Sequence, residues 1–203
     1  MSFSQIDTES IREKVIENQE VNFYSLLEIF RSSPEKLSQG QLNQLYYGSK
    51  FAKVDYTIGS YNSEYSTFWK AAQKKISKNK AEKMKSEAER KYSQNPLNIK
   101  LLDNMISIYT ALNENQKSDL CSRQKDLLIQ TIAKSGDGKT EETAICVIAP
   151  DEVLGHLKKL IQSGPRAELS QKMKHLPDGS ILTIYKIAER QIAVKLVGGY
   201  FLP

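Results

Sequence analysis

The chain has 203 residues, apolar and charged fractions of 39% and 26%, and a formal net charge of +5; this is a globular balance that excludes disordered, fibrous and membrane-embedded classes. No run approaches the roughly 18 apolar residues of a membrane span. The start, from Met1 to Glu20, has neither a basic n-region nor an apolar core, so no secretory signal is read, and a complete, cytoplasmic chain is expected.

Ile11, Val15 and Ile16 have helical spacing. Phe23, Leu26, Leu27 and Phe30 then follow i, i+3, i+4, i+7, which is one buried stripe. Ser33-Pro34 breaks it. Ser38 and Gln41 have capping-box spacing ahead of Leu42 and Leu45, and that helix runs into Leu45-Tyr46-Tyr47-Gly48. The Gly, Asn, Ser and Thr content of positions 52 to 66 predicts a loop with aromatic anchors. Helical stripes return with Phe68, Ala72 and Ile76, then with Ala81, Met84, Ala88 and Tyr92. Asn95-Pro96 ends that stretch. Leu101, Leu102, Met105, Ile106 and Tyr109 form the next amphipathic helix. Leu127, Leu128, Thr131 and Ile132 form another, which stops at Ser135-Gly136-Asp137-Gly138.

The period then changes. Thr143 to Ala149 is apolar on both faces and predicts a central strand. Pro150-Asp151-Glu152 opens one short helix, which Ser163-Gly164-Pro165 closes. Ile181 to Ile187 and Gln191 to Val197 predict two strands joined by a tight turn at Ala188-Glu189-Arg190, the second with one face in water. Helices first and strands last is an α+β order. The expected architecture is N-terminal helical hairpins over 1–135, then a small antiparallel sheet with one short helix over 136–203, packed on the helices. Met84, Ala88 and the stripe from Leu102 to Tyr109 around Asn95-Pro96 have the spacing of a degenerate tetratricopeptide unit, without recurrence elsewhere.

Three segments together resemble an uncharacterised family of Bacteroidetes proteins, one of the domains of unknown function. They are Leu45-Tyr46-Tyr47-Gly48, then Asn95-Pro96-Leu97-Asn98, then the run through Leu127-Leu128, Ser135-Gly136-Asp137-Gly138-Lys139-Thr140, Val147-Ile148 and Asp151-Glu152. The resemblance spans residues 10 to 200. It implies a helical N-terminal part and a short β-rich C-terminal part, and it implies no activity. Val153 departs from the aromatic that the family pattern carries there.

Several motifs invite chemistry and fall short of it. Ala133-Lys134-Ser135-Gly136-Asp137-Gly138-Lys139-Thr140 nearly spells a P-loop, but Ala133 replaces the first Gly. A helix also precedes the loop and a strand follows it, the reverse of what aims amides at a phosphate. The expected role is a turn in which Gly136 or Gly138 takes a positive φ and Asp137 binds nearby amides. A calcium loop fails because Lys139 falls on a ligand position. His156 and His175 are the only histidines; Glu152 and His156 are four apart, with no third ligand in view. Cys121 and Cys146 lack CxxC or metal-ligand spacing and are expected to be reduced, buried thiols. No cofactor, metal or catalytic group is expected.

Two features stand out against this plain background. Residues 70 to 91 hold nine Lys and Arg against Glu82, Glu87 and Glu89, so the whole net charge sits in one stretch. Just before it, positions 46 to 69 hold eight of the chain's 17 aromatic residues. Tyr46, Phe51 and Phe68 suit helical stripes, so core packing is one reading of the cluster and the favoured one; Tyr and Trp are also the usual anchors of protein interfaces. The expected function is therefore a non-enzymatic protein-binding module, in concrete form an immunity or regulatory protein that neutralises one acidic partner. Tyr46, Tyr47, Tyr56, Tyr61, Tyr65, Trp69, Lys70, Lys74 and Lys78 are the candidate contacts. An enzyme with a site assembled near Ser135 to Thr140 is one alternative. Weak single-stranded nucleic-acid binding through 70 to 91 is another; with one Arg among nine basic residues and no recognition motif, it is the least expected.

Overall fold

The computed structural model describes residues 6–17, 23–52, 76–149, 152–153, 156 and 168–199. Among them six helices precede a four-stranded sheet, an α+β arrangement. The helices are α1 (Thr8–Glu17), α2 (Tyr24–Ser32), α3 (Gln39–Gly48), α4 (Lys78–Gln94), α5 (Ile99–Ala111) and α6 (Asn115–Ser135). Several boundaries have a local cause. The Ser38 and Gln41 capping box forms in full, Gln41 N donating to Ser38 Oγ at 3.3 Å and Ser38 N to Gln41 Oε1 at 2.9 Å. Asn98 caps α5, its side chain accepting from Leu101 N at 3.0 Å. Asn113 ends α5 at φ +60, and Glu114 N reaches back to Tyr109 O at 2.9 Å, the left-handed termination for which Asn is suited after Gly.

α4, α5 and α6 pack in succession, α4 on α5 and α5 on α6, as short turns between helices dictate. The Phe23, Leu26, Leu27 and Phe30 stripe is buried as the spacing predicts. Gln124 sits fully buried in α6, donating to Phe30 O at 2.8 Å and accepting from Tyr92 Oη at 2.9 Å. One side chain thus ties α2, α4 and α6 together with its polar atoms satisfied.

The strands are β1 (Ile145–Val147), β2 (Leu169–His175), β3 (Ile181–Ile187) and β4 (Arg190–Leu196), in the order β1-β4-β3-β2. The sheet is mixed rather than wholly antiparallel. β2, β3 and β4 are antiparallel neighbours, and β1 joins β4 in parallel, Ile145 opposite Val194. Ile145 to Val147 are buried throughout, as an apolar run requires, although β1 is an outer strand and not a central one. The Ala188-Glu189 turn closes the β3–β4 hairpin, with Ala188 at φ +52. β4's second face is drier than expected: Ala193 is buried in a small cluster with Ala144 and Leu182, and Lys195 donates to Asp178 Oδ2 at 2.8 Å and to Thr8 Oγ1 at 3.3 Å. The main hydrophobic core is one cluster that runs from Phe30, Tyr46 and Leu128 in the helices to Val147, Ile181 and Leu196 in the sheet.

Candidate functional site

The end of α3 and the residues just after it deliver three side chains to β1 and the segment that follows it. Tyr46 Oη donates to Glu152 Oε2 at 2.7 Å, and the same oxygen accepts Ile148 N at 3.2 Å and Ala149 N at 3.1 Å. Tyr47 Oη donates to Cys146 O at 3.2 Å, and Lys50 Nζ to Ile148 O at 3.5 Å. Gly48 belongs to this turn because a Cβ there would come within 2.8 Å of Val15 Cγ2 on α1. Two sequence segments a hundred residues apart therefore meet in one buried seam.

This placement corrects the expectation for Tyr46 and Tyr47. Both rings are wholly buried, stacked edge to face at 4.9 Å between centroids. Their helical positions turn them inward, and their hydroxyls find partners in the seam, so neither is an exposed anchor. Burial first, and then the adjacent Glu152 charge, raises the Tyr46 phenol far above its ordinary value. Tyr47 is likewise raised by burial. Tyr56, Tyr61, Tyr65, Trp69, Lys70 and Lys74 lie outside the described residues.

The Ser135 to Thr140 turn is knitted to itself and to the sheet. Gly138 N donates to Thr143 O at 2.7 Å, Lys139 N to Asp137 Oδ1 at 3.0 Å, and Thr140 N to Thr143 Oγ1 at 3.2 Å. Three successive amides of the loop are thus engaged within it. Asp137 binds a nearby amide as expected, and that bond, with the Thr143 hydroxyl, lowers its carboxyl to about 2. Gly138 takes φ +72. It does so in the turn, not at the helix end, where Gly136 is extended at φ 175. Gly136 is needed for a different reason: a Cβ there would stand 2.2 Å from Thr143 O and 2.5 Å from Ala144 O. Ser135 Oγ donates to Ile132 O at 2.7 Å and accepts Cys146 N at 2.8 Å.

Both cysteines are free and buried, and burial pushes each thiol up to about 11, which keeps it protonated and unreactive at neutral pH. His156 is half-buried and His175 exposed.

The basic stretch divides within α4. Lys85 pairs with Glu114 at 2.5 Å, Arg90 with Glu87 at 2.6 Å, Lys91 with Glu87 at 3.4 Å, and Glu89 with Lys117 at 3.4 Å. Lys78, Lys80 and Lys83 are exposed and have no ion pair among the described residues. Sequence reasoning found the stretch but could not divide it, because three of these four pairings are set by residues on other helices or by burial.

Compared with known proteins, residues 9–168 match the family described as Domain of unknown function (DUF4919). The match ends before β2. No curated protein and no solved structure matches the chain. With most of its length matched, the chain belongs to that family.

Proposed function

We propose that the chain, as a member of this family, is a non-enzymatic protein-binding module that engages one acidic partner, in the manner of an immunity or regulatory protein. The observation that supports this reading is the uneven use of charge along α4. Its C-terminal half is held in ion pairs, while Lys78, Lys80 and Lys83 at its start are exposed and have none among the described residues. A helix N-terminus carries the positive end of the dipole, so lysines there are unfavourable to the helix itself. An acidic surface would relieve that repulsion and draw on it for steering. The candidate rings Tyr56, Tyr61, Tyr65 and Trp69 adjoin this end in sequence and would supply the apolar centre of such a contact.

The test is capture of partners from the native host, followed by kinetics on the partner obtained. Association should slow steeply as salt is added. The K78E/K80E/K83E variant should lose the partner while its circular dichroism stays unchanged. A partner bound equally by the variant, or association indifferent to salt, would overturn the reading.

A further inference from the structure

β2 is the outer strand of the sheet opposite to β1, and every one of its seven residues is exposed. Leu176 N donates to Ser180 O at 2.9 Å. Counting back in twos, the backbone groups of Lys174, Lys172 and Ser170 face β3, and those of Leu169, Gln171, Met173 and His175 face outward. An outward row of this kind is a template for another strand. Its side chains are of two kinds. Leu169 and Met173 lie on the sheet face shared with Ile187 and Thr183, opposite which they pair, and they remain 41% and 44% exposed. Lys172 and Lys174 lie on the other face.

From this edge we propose a homodimer in which β2 of one copy pairs antiparallel with β2 of a second, about a two-fold axis through Gln171. The sequence of the edge is complementary to itself in that register. Leu169 stands opposite the partner's Met173, Ser170 opposite the partner's Lys172, and Glu168 opposite the partner's Lys174, each pairing occurring twice. Opposed residues on an antiparallel pair share a face, so the exposed apolar residues cover one another and the charges of opposite sign meet. A shift of the axis to Lys172 sets two lysines face to face, and a shift to Met173 sets Lys172 against Lys174. Lysines on an edge commonly guard against pairing; here they close the registers centred further toward His175 and leave this one open. In the monomer Lys174 reaches Glu141 at 3.6 Å with its side chain 60% exposed, a weak pair that does not hold it back. The result is a continuous eight-stranded sheet. Stable interfaces bury about 1,200–2,000 Å², more than one strand pair covers, so the dimer forms in a concentration-dependent equilibrium.

Sedimentation across micromolar to millimolar protein tests this. The weight-average mass should rise from the 23.0 kDa of one chain toward twice that value. Gln171→Pro removes an outward N–H on each copy and leaves the β3 ladder intact, so dissociation should tighten in the monomer's favour by roughly tenfold or more. Glu168→Lys should also weaken the dimer, and Glu168→Lys with Lys174→Glu should restore it. Gln171→Cys should cross-link across the axis under mild oxidation, and Lys172→Cys should not. A monomer mass that stays constant to millimolar protein overturns the proposal. So does a dimer that neither Gln171→Pro nor the charge exchange affects, which would place the contact on another surface.

Discussion

The seam between α3 and β1 and the edge strand β2 treat the same chemical groups in opposite ways. In the seam, hydroxyls, an ammonium and backbone amides are buried beside a half-buried carboxylate, and they are joined to one another. Along β2, backbone amides and carbonyls, apolar side chains and lysines face water. Burial obliges polar groups to find partners inside the chain, and groups so engaged are not free for anything else. Two of the tyrosines that look like interface anchors in the sequence, Tyr46 and Tyr47, are therefore engaged in holding the fold together.

The largest break in this contrast is Gly136→Ala. The new methyl would meet two backbone carbonyls that belong to the turn bracing β1, and backbone yields less than a side chain. A loss of about 3 kcal/mol or more is expected in chemical denaturation. Lys172→Ala on β2 should change stability by less than about 0.5 kcal/mol. Equal effects at the two sites would erase the distinction between seam and edge.

Tyr46→Phe sharpens the comparison. It removes one of the three donors to Glu152 Oε2 among the described residues and leaves the ring packing in place, so the expected cost is about 1–2 kcal/mol, with partner binding untouched. A weakened partner with unchanged stability would return Tyr46 to the binding surface.

Asp178→Asn should cost no more than Tyr46→Phe, about 1 kcal/mol at neutral pH, and it carries a pH signature. Burial works to raise the Asp178 carboxyl, but the Lys195 ammonium and the Ser180 N–H outweigh it and leave it below the ordinary carboxylate value. A depressed folded pKa gives stability that is fully present above the unfolded value of about 3.9. That stability is lost as pH falls through the lower folded value. The difference between the two proteins should therefore shrink below about pH 4 in thermal unfolding. A difference that persists to the lowest pH would mean that the Lys195 pair contributes nothing.

Much of the helical part was legible in the sequence because its causes are local. The Phe23 to Phe30 stripe, the Ser38 and Gln41 box and the Asn95-Pro96 break each act within a few residues. β2 was not read because a strand exposed on both faces leaves no alternation in Leu169-Ser-Gln-Lys-Met-Lys-His175. The available signal was the hairpin turn beyond it, Pro177-Asp178-Gly179, with Gly179 at φ +78. The helical stripe already points Tyr46 toward the core, but the hydroxyl partners of Tyr46 and Tyr47, Glu152 and Cys146, are too distant in sequence for spacing to reveal. The same distance hid the parallel pairing of β1, since nothing in an apolar run from Thr143 to Ala149 tells which strand it will join.

That parallel pairing also sets an order of events. The α4–α5–α6 stack and the β2–β3–β4 meander each form from neighbours in sequence, so little chain entropy opposes them. β1 meets β4 only after the whole stretch between Val147 and Arg190 has been closed into a loop. Tyr46, Tyr47 and Lys50 can reach Glu152, Cys146 O and Ile148 O only once that strand is in position. The seam is thus the latch of the fold, fastened after the two halves have taken shape.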